Sequence, residues 1–310
     1  MSEPHEQGTG QADAAEPAGG LFRHVRLVPG LHLVSTPIGN ARDITLRALD
    51  TLASADVLAA EDTRTLRHLM DIHGVPLRGR RVLAYHDHNG AAVRPRLLAA
   101  LEAGASVAYA SEAGTPLVAD PGFQLARAAA TAGHRVVPVP GASAVLAALV
   151  AAGLPTDRFL FAGFLPAGDG ARTAVLAELA AVPATLVIFE SPRRVKRTLG
   201  ELSEVFGEGR MAALCRELTK RFEEVIRGPL GQLRDDPALR DLRGEVVMVI
   251  DRAPDRIAGD GDVDAALRDA LAKGATLRDA VEGVTAATGR TRRSVYARAL
   301  ALGSDIGDRE

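Results

Sequence analysis

Short apolar runs alternate with amphipathic stretches along the first half of the chain. The spacing of apolar positions over 46–53 and 93–103 predicts helices between these runs. An alternation of strand-like and helix-like segments is typical of a parallel sheet with crossover helices. We therefore predict an α/β domain over residues 25–155. Its strands are expected at 31–35, 57–60, 82–84, 106–110 and 136–139.

A second set of apolar runs follows the segment Gly153-Leu154-Pro155. These runs are closer together and less regularly separated by helical patterns, which indicates a mixed, partly antiparallel sheet. The pattern predicts a second α/β domain over residues 156–252. Its strands are expected at 159–164, 184–189, 210–215, 222–227 and 245–250.

The last part of the chain predicts a small helical module over residues 262–303, after a polar link at 252–262. Gly274 and Gly289 stand where the first two helices would end, and Thr276 with Asp279 resembles a capping pattern at the start of the second. The three helices are expected at 264–272, 277–287 and 294–300.

Composition narrows the class of protein. Of the 310 residues, 47% are hydrophobic and 25% are charged, as in ordinary soluble proteins, and no apolar run is long enough to span a membrane. Residues 1–24 are expected to form a disordered tail rather than a signal peptide. The single cysteine, Cys215, argues against a disulfide framework or a structural zinc site, so we expect a cytoplasmic protein. The formal charge of −2 means that any RNA binding must depend on local patches.

Three corners rich in glycine and proline follow predicted strands, at 36–43, 111–122 and 138–143. Ligands of open α/β sheets bind at the carboxyl ends of strands, and small residues let the backbone approach a ligand closely. The three corners therefore predict one cofactor pocket, in which Glu112 or Asp120 could face a positively charged group. The stretch with Gly39 and Asp43 lacks a glycine-rich dinucleotide pattern, which argues against a classical NAD or ATP site.

The order of several motifs resembles a known family. These motifs are Thr36-Pro-Ile-Gly-Asn40, Asp43-Ile-Thr-Leu-Arg47, Ala60-Glu-Asp-Thr-Arg64, Tyr85-His-Asp-His-Asn89, Ala113-Gly-Thr-Pro116, Asp120-Pro-Gly122, Glu190-Ser-Pro192 and Arg216-Glu-Leu-Thr-Lys220. Together they are similar to the ribosomal RNA small subunit methyltransferase I family, which has a two-domain class III, tetrapyrrole methylase-like α/β fold. Departures are modest: Glu112 stands where the family more often has aspartate, Ala142 where it has proline, and Arg193 where it often has histidine.

The resemblance implies an S-adenosyl-L-methionine-dependent enzyme that methylates the ribose 2′-hydroxyl of a cytidine in 16S rRNA. The substrate would be the assembled small ribosomal subunit, and the protein would form a homodimer. The cofactor would lie between the two α/β domains. The residues implied to bind it are Pro37, Gly39, Asp43, Glu112, Ala113, Gly114, Thr115, Asp120, Pro140, Gly141 and Ser143.

Methyl transfer to a ribose hydroxyl benefits from a general base, because a free hydroxyl is a poor nucleophile. Asp62 is the preferred candidate, since it follows a predicted strand near the cofactor corners, but it could instead cap the helix that begins near Thr63. The polar run from His86 could face the substrate or form a simple hydrogen-bonded turn. No metal site is expected, because consecutive ligands fit a metal poorly and this reaction needs no Lewis acid. The candidate catalytic residues are Glu61, Asp62, His86, His88 and Lys220.

Basic residues after Glu190-Ser-Pro192 form the densest cationic cluster in the chain. Such a cluster could be a solvated helix face or a contact for RNA phosphates, and Arg216 would extend it if the strands lie adjacent. The arginines of the last module leave open whether that module binds RNA or only packs. The candidate RNA-binding residues are Arg64, Asn89, Arg193, Arg194, Lys196 and Arg216.

Two rival functions remain open from sequence. A methylase of a tetrapyrrole or another small acceptor could use the same fold, since fold does not settle the acceptor. A ribosome-assembly factor could bind RNA without catalysis, although the intact pocket loops argue against it.

Overall fold

A computed structural model describes residues 21–118, 122–253 and 259–307, with side chains described up to residue 302. The chain divides into two compact units. The larger unit contains the described residues up to 176 and residues 185–251, so it includes most of both predicted α/β domains. The smaller unit contains residues 177–184 and the chain from 252 onward.

The first sheet has five parallel strands in the order β3-β2-β4-β1-β5. This confirms the α/β prediction for the first half of the chain, and every strand lies within one residue of its expected bounds. The strands are β1 (Gly30–Val34), β2 (Val57–Ala60), β3 (Val82–Ala84), β4 (Ser106–Ala110) and β5 (Val136–Val139).

Helices connect these strands and cover the sheet. Thr45 caps the first helix by accepting a hydrogen bond from the Ala48 backbone N–H, and the buried face of that helix places Leu49 and Leu52 in the core. Ser143 caps the last one in the same way, through the Leu146 N–H. The helices are α1 (Leu46–Ser54), α2 (Thr63–Ile72), α3 (Gly90–Glu102), α4 (Phe123–Thr131) and α5 (Ala144–Ala152).

The second sheet has the order β6-β7-β10-β8-β9, with β6 parallel to β7 and the other pairs antiparallel. It is mixed, as the irregular spacing of the apolar runs indicated. Its elements are β6 (Phe159–Phe164), α6 (Asp169–Ala180), β7 (Thr185–Glu190), α7 (Val195–Phe206), β8 (Met211–Arg216), β9 (Glu224–Pro229), α8 (Leu230–Arg234), a short 3₁₀ helix (Pro237–Leu239) and β10 (Val246–Ile250).

The disordered tail predicted over residues 1–24 extends too far toward the C-terminus, because its last residues belong to the folded domain. Phe22 packs against the core beneath the first sheet, and the Arg23 backbone N–H donates a hydrogen bond of 2.6 Å to Asp50 on α1. The Val25 N–H donates to the Ser54 hydroxyl. Because these contacts make residues 22–25 part of the domain, the predicted tail cannot extend to residue 24. The rest of the tail prediction lies outside the described residues.

The C-terminal unit contains α9 (Asp260–Ala272), α10 (Leu277–Thr288) and α11 (Arg292–Gly307) around a small apolar core. Gly289 ends α10 in the left-handed conformation, and Thr276 caps its start, as the sequence pattern predicted. Two of the arginines in this unit hold its helices together: Arg290 pairs with Asp260, and Arg298 pairs with Asp264. Arg292 and Arg293 are exposed. Within the described part of the chain, no helix is long and apolar enough to cross a membrane.

Candidate active site

A cavity of about 520 Å³ lies at the carboxyl ends of four neighbouring strands of the first sheet. Glu61 follows β2, residues 112–115 follow β4, Ile38 follows β1, and Ser143 follows β5. Because the sheet order places β2, β4, β1 and β5 side by side, loops distant in sequence form one continuous wall. This is the position where open α/β sheets bind ligands, and the volume suits a small organic molecule.

Hydrogen bonds tie the loops of this wall together. Thr36 and Gly114 exchange two backbone hydrogen bonds of 3.0 Å, which join the loop after β1 to the loop after β4. The Thr115 hydroxyl donates to the Ala142 carbonyl at 3.0 Å, which joins the loop after β4 to the loop after β5. The Ser111 hydroxyl donates to the Gly114 carbonyl within the same loop. These hydrogen bonds between and within the loops therefore fix the shape of the wall.

Three glycines that the sequence assigned to the cofactor differ in what surrounds them. Gly114 lines the cavity with φ +77°, and a Cβ there would meet the Ile38 side chain at 3.2 Å. A Cβ on Gly39 would collide with the Lys220 side chain, and a Cβ on Gly141 would collide with Ser35. The missing side chain therefore lets a ligand approach the backbone at Gly114. At Gly39 and Gly141 it instead lets parts of the chain pack together.

Five of the predicted cofactor residues line the cavity, and one, Asp120, lies outside the described residues. The remaining five lie in the same loops, outside the wall that the described residues form. The lining residues are Glu112, Ala113, Gly114, Thr115 and Ser143; the others are Pro37, Gly39, Asp43, Pro140 and Gly141.

The second sheet supplies the opposite wall, in line with the expectation that the cofactor lies between the two α/β domains, but none of its residues was assigned to the cofactor from the sequence. Phe164 from β6 and Phe189 from β7 pack edge to face, with ring centroids 5.6 Å apart. The motif Glu190-Ser-Pro192 at the end of β7 was visible in the sequence, but only the fold shows that it faces the loop after β4. Of the lining residues that were not named individually from the sequence, Ile38 and Val118 lie within the predicted cofactor corners. The others are Ala144, Val145, Phe164, Phe189, Glu190, Ser191, Pro192, Gly244, Glu245, Val246 and Val247.

The adjacent carboxylates Glu61 and Asp62 have different surroundings. Glu61 lines the cavity. Asp62 caps α2: its carboxylate accepts from the Arg64 backbone N–H at 2.7 Å and pairs with the Arg64 guanidinium at 2.9 Å. The hydrogen bonds from the Arg64 side chain and backbone lower the pKa of Asp62 to about 2. The helix-cap alternative is therefore the one observed for Asp62, and Arg64 is engaged with Asp62.

The polar run after β3 forms a closed turn. The Asn89 side chain accepts from the His86 backbone N–H at 2.9 Å and donates to the Ala84 carbonyl at 3.0 Å. The rings of His86 and His88 meet edge to face. All three side chains lie outside the cavity wall of the described residues, so Asn89 serves the turn, and a substrate role for the histidines stays a prediction.

Lys220 lies in a salt bridge beside the cavity. Its Nζ is 2.9 Å from Glu217 and 3.1 Å from Glu245, which lines the wall. Desolvation is the largest single influence and lowers the pKa of the Lys220 amine, but the hydrogen bonds to Glu217 and Glu245 outweigh it, so the pKa is raised. A protonated ammonium cannot accept a proton, so this arrangement does not suit Lys220 as a general base.

The basic cluster after β7 separates into two groups. Arg193 and Lys196 are exposed and line a shallow groove of about 700 Å³. Arg194 points inward: it lies 3.2 Å from the buried Glu190 carboxylate and donates to the Leu165 carbonyl at 2.7 Å. Arg194 therefore serves the fold through these bonds, and its predicted contact with RNA stays a prediction.

Arg216 was expected to extend the basic cluster only if its strand lies next to β7, and it does not. The strand β10 lies between β7 and β8, so the strands that carry the two groups are not neighbours. Arg216 also pairs with Glu224 at 3.1 Å, which offsets its charge. Arg216 therefore does not extend the cluster through adjacent strands.

A buried ionic network fixes the wall of the second sheet. Arg172 on α6 is 1% exposed, and its guanidinium lies 3.4 Å from the Glu190 carboxylate, which is 2% exposed. The Thr198 hydroxyl donates a hydrogen bond to Glu190 at 2.7 Å and accepts one from Arg172. The Glu201 carboxylate accepts a hydrogen bond from the Arg172 Nε–H. Buried charges require such complete pairing, so Glu190 at the cavity is held by its network and acts as a structural carboxylate.

Comparison with known proteins defines the class. Residues 30–234 match the family model "Tetrapyrrole (Corrin/Porphyrin) Methylases". The fold is similar to that of uroporphyrin-III-C-methyltransferase from Thermus thermophilus, with a TM-score of 0.51 and 23% identity over 73% of this chain and 95% of that one. Cobalt precorrin-4 methyltransferase gives a TM-score of 0.54 at 21% identity over 71% of this chain and 94% of that one. The protein thus has the class III methyltransferase fold.

Sequence relatives narrow this class further. A ribosomal RNA small subunit methyltransferase I of Mesorhizobium japonicum is 49% identical over 283 residues, which cover 91% of this chain and 95% of that protein. The protein of the same name from Escherichia coli O157:H7 is 44% identical over 71% of this chain and 77% of its own. Residues 257–303 match the "RsmI C-terminal HTH domain". The chain belongs to the ribosomal RNA small subunit methyltransferase I family.

The protein is accordingly an S-adenosylmethionine-dependent methyltransferase, and the cavity fits this cofactor. The backbone at Gly114 leaves room that a Cβ would fill, Phe164 and Phe189 offer apolar surface, and Glu61 and Glu112 supply negative charge for a cationic group. Among the described residues, no cluster of three or more His, Cys, Asp or Glu side chains could hold a metal ion.

Proposed function

We propose that the protein transfers a methyl group from S-adenosylmethionine to the 2′-oxygen of a cytidine ribose in 16S rRNA. The assembled small ribosomal subunit is the proposed substrate, and the cytoplasm is the proposed compartment. The observation that carries the proposal is a cavity walled by loops from four adjacent parallel strands, in a chain that belongs to this methyltransferase family.

The cofactor supplies an already activated methyl group when bound, so the protein chiefly aligns donor and acceptor. Residues 112–115 and Ser143 would hold the cofactor, and Phe164 and Phe189 would cover it from the second sheet. The acceptor hydroxyl must lose its proton as the methyl group moves. We assign this proton to Glu61, because Glu61 lines the cavity, whereas Asp62 caps α2 and does not line it.

A small-molecule acceptor is the alternative on this fold, because the solved structures it resembles include tetrapyrrole methylases. RNA is favoured by the family of the sequence relatives and by the exposed cations beside the cavity.

The proposed assembly is a homodimer. Apolar side chains are exposed on the outer face of α5, where Val150 is 86% and Leu146 55% exposed, and on the edge strand β6 at Phe159. Exposed apolar surface of this kind is typical of protein interfaces. We expect Val150→Asp to shift the protein from dimer to monomer in sedimentation experiments. A parent protein that sediments as a monomer at micromolar concentration would overturn the assembly proposal.

The chemical proposal is tested by methyl transfer in vitro. Small subunits purified from cells without this activity are incubated with the protein and methyl-labelled S-adenosylmethionine, and their 16S rRNA is digested to nucleosides. We expect the label in 2′-O-methylcytidine. Label in a methylated base would overturn the ribose assignment, and label transferred to a tetrapyrrole but not to rRNA would favour the alternative.

A further inference from the structure

The groove beside the cavity is lined by four basic side chains from two separate elements. Arg193 lies just before α7 and Lys196 in its first turn, and Arg240 and Arg243 lie in the loop that leads into β10. These residues are far apart in sequence, so the charge concentration arises only on folding. Among the described residues that line the groove, Asp241 is the one carboxylate.

The four cations are available to a ligand. Arg193, Lys196, Arg240 and Arg243 are all exposed, and none forms a side-chain ion pair with a described residue. Their neighbours differ: Arg194 pairs with Glu190, Arg197 with Asp169 and Glu201, and Arg234 with Glu208 and Asp235. The basic side chains of the groove therefore differ from these three neighbours in having no side-chain ion pair with a described residue.

The loop that carries Arg240 and Arg243 is anchored on both sides. Leu239 before it is 6% exposed, and the Arg243 carbonyl accepts a hydrogen bond from Arg216. Gly244 after it has φ +89° and packs against the Glu217 side chain, so a Cβ there would collide at 2.4 Å. The backbone thus holds both arginines on the groove side.

The groove and the cavity share two residues, Pro192 and Gly244. A nucleotide whose 2′-oxygen enters the cavity carries a phosphate on the adjacent 3′-oxygen, so the backbone must leave the cavity at its rim. Basic side chains that contact phosphates fix a nucleic acid in register without reading its bases. The cations lie where the backbone of an inserted nucleotide would run.

We propose that Arg193, Lys196, Arg240 and Arg243 form a phosphate-binding groove that holds the RNA backbone next to the methylated nucleotide. The proposal rests on the proposed rRNA substrate and adds Arg240 and Arg243, which no sequence motif indicated. Each phosphate contact that is lost makes the plot of log RNA affinity against log salt concentration less steep, by about one unit of slope per contact.

The test compares two double variants with equal loss of charge. Arg240→Ala/Arg243→Ala removes half of the groove cations. Arg96→Ala/Arg127→Ala removes two exposed arginines from α3 and α4, outside both the groove and the cavity wall. Binding to a short single-stranded RNA is measured between 50 and 200 mM salt, and S-adenosylmethionine affinity is measured by calorimetry.

The slope of log RNA affinity against log salt concentration should be less steep by about two in the groove variant than in the parent. Over this salt range, the RNA affinity of the groove variant should therefore fall about tenfold less than that of the parent. Its affinity for S-adenosylmethionine should match the parent, and its methylation of small subunits should require more substrate. The control variant should keep most of the parent slope.

Equal salt slopes for the two double variants would overturn the proposal that the groove binds RNA phosphates. So would a groove variant that loses affinity for anionic lipid vesicles while its RNA binding is unchanged. A parent protein that binds RNA with the expected slopes but methylates no small subunit would contradict the proposed function and leave the groove intact, so the two failures are distinguishable.

Discussion

Thr36 and Gly114, 78 positions apart in sequence, exchange two backbone hydrogen bonds of 3.0 Å at the wall of the cavity. This pairing is possible because β1 and β4 are neighbours in the sheet. It holds Gly114 in a left-handed conformation, with φ +77°, that other residues rarely adopt. The cofactor wall therefore depends on a backbone contact that the sequence motifs do not reveal.

Gly114→Val should abolish binding of S-adenosylmethionine. The new side chain would be strained at φ +77° and would meet Ile38 at the cavity wall. Calorimetry on the purified variant measures the affinity. Gly209→Val is the matched control, since a Cβ there meets nothing within 4 Å and the backbone has no positive φ. Parent-like affinity in Gly114→Val, with the control also unchanged, would show that the cofactor lies elsewhere.

Glu61→Gln should reduce the rate of single-turnover methylation by a factor on the order of 100, the scale for loss of a general base. Asp62→Asn should have a much smaller effect, because an asparagine can still cap α2 and Asp62 does not line the cavity. Saturating small subunits isolate the chemical step. A collapse in Asp62→Asn with near-normal turnover in Glu61→Gln would reverse the assignment.

The pKa of Asp62 also predicts a pH dependence. Because hydrogen bonds from Arg64 hold this pKa at about 2, below its ordinary value of 3.8, the charged cap stabilises the folded state above pH 3.8. That contribution is lost as the pH falls through 2. Asp62→Asn should therefore leave the pH dependence of unfolding between pH 5 and 8 unchanged and alter it only in acid. A changed profile near neutrality would mean that Asp62 titrates there.

Arg193 and Arg194 are neighbours in sequence but should behave differently on truncation. Arg194→Ala removes a partner of the buried Glu190 carboxylate and should lower the free energy of unfolding by about 1–3 kcal/mol in urea titrations. Arg193→Ala removes an exposed side chain and should stay within about 0.5 kcal/mol of the parent. Equal stabilities for the two variants would contradict the inward placement of Arg194.

Cys215 should be unreactive in the native protein. It is fully buried in β8, and burial raises the pKa of its thiol to about 11. Alkylation with iodoacetamide at pH 8 should proceed only after unfolding in urea. The raised pKa also means that ionisation favours the unfolded state as the pH rises above 9. Rapid alkylation of the native protein would place the thiol on the surface.

The sequence predicted most of the fold because strand signals are local. All ten strands lie within two residues of their expected bounds, and each predicted run is apolar enough to be recognised by itself. The wall of the cavity was less predictable, since it depends on which strands are neighbours. The three cofactor corners follow β1, β4 and β5, and only the sheet order shows that these strands lie side by side.

Side-chain direction limited the prediction of the site. Composition cannot separate Arg193, which is exposed, from Arg194, whose partner Glu190 is buried by the packing of α6 and α7. Phe164 and Phe189 were also missed, because apolar residues at the ends of strands look like core. The signal that could have placed the second wall was Glu190-Ser-Pro192, a polar corner at the carboxyl end of a strand.

The most direct test of the central claim is a map of ribose methylation in 16S rRNA from cells with and without this protein. Cells without it are complemented with either the parent or Gly114→Val. We predict one 2′-O-methylated cytidine that is absent without the protein, restored by the parent and not restored by the variant. An identical methylation map in all four strains would contradict the account.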